Sequence, residues 1–125
     1  MTNGTERAAN GRRILVVEDD PSSRRALVAL LRLAGYQAVF ATNLAQALDL
    51  VETAPDFILL DLMLPDGTGA AVLKYVRAQR LPIRVAITTG AADWRTLLHD
   101  CDHPPDAVFT KPLDFDRITQ WLGVV

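Results

Sequence analysis

Four short apolar runs in this chain end on residues that can do chemistry. Ile14-Leu15-Val16-Val17 runs into Glu18-Asp19-Asp20, and Phe57-Ile58-Leu59-Leu60 into Asp61. Val85-Ala86-Ile87 ends on Thr88-Thr89-Gly90, and Ala107-Val108-Phe109 on Thr110-Lys111. Clustered carboxylates disfavour one another's ionised form. A hard divalent cation removes that conflict; Mg²⁺ takes oxygen ligands and keeps waters and a phosphate oxygen in its shell. Beside such an ion, Asp61 is suited to attack a phosphoryl donor and form an acyl phosphate. The charge on the transferring group would be met by the cation and by Lys111 acting as a point charge. The Thr89 hydroxyl can turn toward a phosphoryl oxygen. This chemistry requires that residues far apart in sequence meet in one crevice.

The intervening segments supply a way to do that. A run without polar interruption, bounded by turn signals, reads as a strand buried on both faces. Strands are expected at 14–17, 37–41, 57–61, 83–90 and 106–110. Between the first two, Pro21 suits a helix's first turn with an acid before it as cap, and Ala26, Leu27, Leu30, Leu31 and Ala34 follow helical spacing up to Gly35. Asn43 is placed to cap a second helix through Glu52, and a third runs from Gly69 to about Ala78. A short helix at 93–100 gives way to His103-Pro104-Pro105, and a last one spans Leu113 to Leu122. Strands alternating with helices argue a parallel sheet covered on both faces. In such a sheet the carboxyl ends of all strands lie along one edge, where open α/β sheets hold their ligands.

Composition narrows the field. The chain has 125 residues, enough for one domain with a core of its own, and 50% hydrophobic content argues against disorder. A net charge of -2 argues against a nucleic-acid surface. The single cysteine, Cys101, excludes an internal disulfide framework and reads as a small packing residue. No run reaches membrane-spanning length and the first residues lack a signal-peptide core, so a cytoplasmic, non-membrane protein is expected. Residues 1–12 are small and polar and read as a flexible arm, with one domain over 13–125.

Each candidate taken alone has a plainer explanation. Asp61 would be a cap or turn carboxylate, Thr89 a strand-end hydroxyl bonded to backbone, and Lys111 a surface lysine. The acid run would be solvated charge at a strand end. His99 and His103 read as exposed and receive no role; Trp94 and Trp121 read as packing residues. Pro65-Asp66-Gly67-Thr68 faintly resembles the acidic loop of haloacid-dehalogenase-type phosphatases, but its spacing from Asp61 is wrong for that motif. A flavin carrier on the same fold would need a phosphate-cradling loop after the first strand, where acids stand instead.

Together the motifs resemble the receiver domain of bacterial two-component response regulators. The resemblance runs from about Arg13 to Leu122. It rests on Ile14-Leu15-Val16-Val17-Glu18-Asp19-Asp20, on Leu60-Asp61-Leu62-Met63-Leu64-Pro65 with Gly69, on Thr89-Gly90, and on Thr110-Lys111-Pro112. It implies a flavodoxin-like, doubly wound sheet of five parallel strands in the order 2-1-3-4-5 with five helices, the fourth helix region here being short or irregular. It implies Asp61 as phosphoacceptor and a Mg²⁺ site formed by Glu18, Asp19, Asp61 and the Met63 backbone carbonyl, with Glu18 acting through water. Thr89 matches the switch hydroxyl and Lys111 the phosphate-binding lysine, followed by a prolyl bond that is often cis. The acid run permits a second register, Asp19 with Asp20; the first is preferred because Asp20 sits where the helix needs its cap.

Two departures from the family stand out. The position three residues before the lysine usually carries a rotating aromatic, and here it is Val108. Phe109 is adjacent, but alternation points it to the other face. Between the fourth and fifth strands, Cys101-Asp102-His103-Pro104-Pro105 replaces a more regular connection. The implied function is a non-enzymatic phosphoacceptor switch that assists its own phosphorylation and dephosphorylation. Its donor would be a histidine kinase or a histidine phosphotransfer protein, and its output an unidentified protein, with homodimerisation through the fourth-helix face left open. The alternative is a receiver-like binding module that works without phosphorylation.

Overall fold

In the computed structural model, residues 11–99, 101 and 103–123 are described. Five strands form one parallel sheet: β1 (Arg13–Val17), β2 (Gln37–Ala41), β3 (Phe57–Asp61), β6 (Arg84–Thr89) and β7 (Ala107–Thr110). Their order across the sheet is β2-β1-β3-β6-β7, which is the expected 2-1-3-4-5 arrangement. Two further strands, β4 (Met63–Leu64) and β5 (Gly67–Thr68), make a small antiparallel hairpin directly after β3. Sequence periodicity gives no sign of this hairpin, since two residues per strand are too few to show alternation.

Among the described residues four helices connect the strands, α1 (Pro21–Leu33), α2 (Leu44–Val51), α3 (Ala70–Ala78) and α4 (Trp94–Leu97), and a fifth, α5 (Phe115–Gly123), follows the last strand. The expected limits of α4 were longer, and part of that range, Asp100, lies outside the described residues. The arm expected at 1–12 likewise falls outside them except for Gly11 and Arg12. Arg12 is already tied to the sheet, its carbonyl accepting the Gln37 N–H at 2.9 Å.

The strands read as unbroken apolar runs because both faces are covered. Leu15, Val17, Ile58, Leu60, Val85 and Ile87 pack on the side of α2, α3 and α4. Ile14, Val16, Phe57, Leu59 and Ala86 pack on the side of α1 and α5. Alternate residues of each strand thus feed two cores, as the two-residue period requires. The same alternation puts Val108 against the first core and Phe109 against the second, where the Phe109 and Trp121 ring centroids are 6.1 Å apart.

Helix ends follow local chemistry. Asp20 caps α1 by accepting the Ser23 N–H at 2.8 Å, with Pro21 in the first turn. Gly35, at φ 98, ends the same helix, and the following Tyr36 N–H returns to the Leu31 carbonyl at 3.1 Å. No helix among the described residues is long and apolar enough to cross a membrane.

Candidate functional site

The sheet delivers the candidate residues to one edge. Asp61 closes β3 and stands level with Thr88, while Thr89 pairs with Thr110 one step further along. The Lys111 N–H donates to the Thr89 carbonyl at 2.8 Å, extending the β6–β7 ladder by one residue. On the other side of Asp61, the Glu18 N–H donates to the Ala41 carbonyl at 3.1 Å, so Glu18 continues the β1–β2 ladder. Glu18, Asp61 and Thr89 are buried, at 4%, 5% and 0% exposure. Asp19 is exposed. Together with Met63, Gly90 and Lys111 the acids line a cleft of about 500 Å³.

The Lys111 ammonium is the hub. It donates to Glu18 Oε1 at 2.7 Å and to Asp61 Oδ2 at 3.2 Å. Burial pulls its pKa down, but the hydrogen bond it donates to Glu18 and the charge of Asp61 outweigh this, so the pKa lies above the ordinary lysine value. Asp61 Oδ1 accepts the Met63 N–H at 3.2 Å, and Glu18 Oε2 accepts the Asp20 N–H at 3.2 Å. Each buried carboxylate therefore has partners, as buried acids require.

One carboxylate oxygen from each of Glu18, Asp19 and Asp61 lies within 4.8 Å of the others. An octahedral Mg²⁺ shell is about 4 Å across between opposite oxygens. The donors are all oxygens, and three negative groups face a single ammonium. The residues present therefore fit a hard divalent cation, with Met63 at the rim of the same cleft. Asp20, the alternative member of the acid pair, is committed to the α1 cap.

The structure brings together Glu18, Asp19, Asp61, Met63, Thr89 and Lys111 and leaves Val108 half-buried in the core under α4. The Thr89 Oγ1 accepts the Ala91 N–H at 3.0 Å, so the hydroxyl is tied to the loop that leads into α4. The Lys111–Pro112 bond is cis. His99 and His103 are exposed and stand apart from the cleft-lining residues. Gly69 has a role that its place in the motif did not reveal: a Cβ there would come within 2.1 Å of the Asp61 carbonyl oxygen. Asp66 was also missed. Its carboxylate accepts the Leu44 N–H at 2.7 Å and the Ala45 N–H at 3.1 Å, contacts that join positions 21 and 22 residues apart.

Comparison with known proteins gives a consistent picture. A family model described as the response regulator receiver domain matches residues 14–122. The transcriptional regulatory protein DltR of Streptococcus agalactiae is 35% identical over 85% of this chain, which spans about half (48%) of that protein's length. The sporulation initiation phosphotransferase F of Bacillus subtilis is 34% identical over 85% of this chain and 86% of its own. Among solved structures, the response regulator TrrA of Thermotoga maritima, in complex with Mg²⁺ and BeF, superposes with a TM-score of 0.79 at 26% identity, over 89% of this chain and 96% of that one. The chain belongs to the response regulator receiver domain family.

Proposed function

We propose that this chain is a phosphoacceptor switch in which Asp61 takes a phosphoryl group from the phosphohistidine of a histidine kinase or a histidine phosphotransfer protein. An Asp61 carboxylate oxygen attacks phosphorus, the P–N bond to the donor imidazole breaks, and the imidazole leaves with its electron pair. The product on this chain is an acyl phosphate. Glu18, Asp19, Asp61 and the Met63 carbonyl would hold Mg²⁺, which when bound neutralises the carboxylates and the phosphoryl oxygens. Lys111 holds its ammonium where phosphoryl charge would develop and exchanges a carboxylate partner for a phosphoryl oxygen. Thr89 is near enough along the same edge for its hydroxyl to serve another oxygen.

The observation that carries this reading is the Lys111 ammonium bonded at once to Glu18 and Asp61 in an acid-lined cleft. A binding module that never accepts phosphate has no need to hold two buried carboxylates on one ammonium with a third acid beside them, and that geometry argues against the alternative. In this reading the switching domain spans 13–125, with protein partners at input and output and no direct nucleic-acid contact by these residues. It assists the making and breaking of its acyl phosphate without being a turnover enzyme. The transcriptional regulators it resembles extend beyond the matched length, so attachment to an output segment is compatible with this role. Phosphorylation would shift a two-state equilibrium and so change partner affinity.

The test is titration with Mg²⁺ and beryllofluoride, an acyl-phosphate mimic, followed by amide NMR. Shifts at Asp61, Met63, Thr89 and Lys111 are expected. Their absence at saturating reagent would overturn the reading.

A further inference from the structure

We propose that Asp66 is a positioning residue for the acceptor loop: its carboxylate pins the tip of the β4–β5 hairpin to the start of α2 and thereby holds Met63 at the cleft. The inference rests on the reading of Met63 as a cation ligand given above.

The first three N–H groups of a helix that lack internal partners must be met by something else. In α2 the Asn43 side chain accepts the Gln46 N–H at 2.8 Å, which is the ordinary cap. Gln46 returns a bond to Thr42, accepting its N–H at 2.8 Å. The two remaining amides, Leu44 and Ala45, are taken by Asp66 from another segment. The Leu44 N–H is the main reason the Asp66 carboxyl is held below its ordinary value, with burial opposing and the Ala45 N–H adding to it. Asp66 therefore sits at the helix start as an anion, where the helix dipole favours one.

The hairpin needs such an attachment. Met63 is 60% exposed, and Pro65 to Thr68 are exposed throughout, so burial of Leu64 is the main apolar anchor of the loop. Its base is fixed by the Gly69 N–H donating to the Leu62 carbonyl at 2.8 Å and by the Met63 N–H donating to Asp61. Its tip is fixed by Asp66. Gly67, at φ 150, brings the tip so close that a Cβ would lie 3.1 Å from the Leu44 side chain. Met63 lies between the two attachments. With the tip released, the base alone must hold the loop, and the Met63 and Gly69 N–H bonds that form it open more often.

The experiment compares the unaltered chain with Asp66→Ala, Asp66→Asn and Asn43→Ala, each well below its melting temperature. Two quantities are read: amide hydrogen exchange without metal, and Mg²⁺ affinity by calorimetry. Asn43→Ala weakens the same helix start but leaves the hairpin tip attached. It is expected to lower Tm while leaving exchange at Met63 and Gly69, and Mg²⁺ affinity, unchanged. Asp66→Ala is expected to speed exchange at both amides and to weaken Mg²⁺ about tenfold, the order found when a group supporting a metal ligand is removed. Asp66→Asn, which keeps an acceptor oxygen, should recover part of each loss. Equal effects from Asn43→Ala and Asp66→Ala, or unchanged exchange in Asp66→Ala, would overturn the proposal. Failure of the unaltered chain to bind Mg²⁺ would instead overturn the cation-site reading, and the exchange rates would still decide the role of Asp66.

Discussion

The Lys111 ammonium donates to Glu18 Oε1 at 2.7 Å, joining residues 93 positions apart. This contact holds the first and last strands of the site in one charge cluster, and it makes a mutation's effect depend on metal. Lys111→Met keeps the stem and removes the charge, leaving Glu18 and Asp61 buried and facing each other. Without Mg²⁺ the expected loss is about 2 kcal/mol, below the range for a fully buried pair because the Lys111 side chain stays 29% exposed. Saturating Mg²⁺ should recover much of it. Urea unfolding with and without Mg²⁺ measures this; an equal loss in both conditions would contradict it.

Gly69 tests the backbone under Asp61. Its φ is -60, which any residue can adopt, so the cost of a side chain is purely steric. A Cβ would meet the Asp61 carbonyl oxygen at 2.1 Å and the Asp61 carbonyl carbon and the Leu60 side chain at 3.1 Å. Gly69→Ala should destabilise by about 3 kcal/mol, at the upper end for overpacking, because the obstacle is backbone. A chemical denaturation curve like that of the unaltered chain would contradict it.

Much of the candidate site is legible in the sequence. Strand ends are legible because burial on both faces leaves a sharp apolar-to-polar boundary, and Glu18, Asp61, Thr89 and Lys111 all stand at or just past one. The choice of Glu18 and Asp19 over Asp20 followed from the cap that α1 requires, and Asp20 makes that cap. Asp66 was not legible, because its partners are backbone N–H groups and carry no residue identity. The hairpin escaped for lack of length, and the steric need for Gly69 depends on a carbonyl oxygen whose position only the fold decides.

Signal passage should follow the Thr89 to Ala91 contact. A valine at 108 offers no ring to bury or release. Turning the Thr89 hydroxyl toward a phosphoryl oxygen disturbs its 3.0 Å bond with the Ala91 N–H, three residues before Trp94. On beryllofluoride binding, amide shifts beyond the cleft lining should be larger from Trp94 to Thr96 than from Ala107 to Phe109. Trp94 fluorescence should change, and Thr89→Val should suppress that change. Larger shifts at Val108 than at Trp94 would contradict this route.

Acid should loosen the helix starts. Asp20 is held below its ordinary value of 3.8 chiefly by the Ser23 N–H, and Asp66 below 3.8 chiefly by the Leu44 N–H. A carboxyl whose folded value is lowered binds fewer protons folded than unfolded. Its contribution is therefore present above 3.8 and lost as pH falls through the lowered folded value. The double variant Asp20→Asn, Asp66→Asn should be less stable at neutral pH and lose less stability between pH 5 and the acid limb, as followed by circular dichroism across that range. A steeper acid loss in the variant would contradict the sign.

The central claim is that Asp61 accepts the phosphoryl group, and intact-mass measurement after incubation with acetyl phosphate and Mg²⁺ tests it most directly. The unaltered chain should gain the mass of one phosphoryl group, removable by hydroxylamine as an acyl phosphate is. Asp61→Asn should remain folded, with its metal-free stability within about 1 kcal/mol of the unaltered chain because one negative charge leaves a crowded site, and should gain no mass. A mass gain that persists in folded Asp61→Asn, or none in the unaltered chain, would contradict the account.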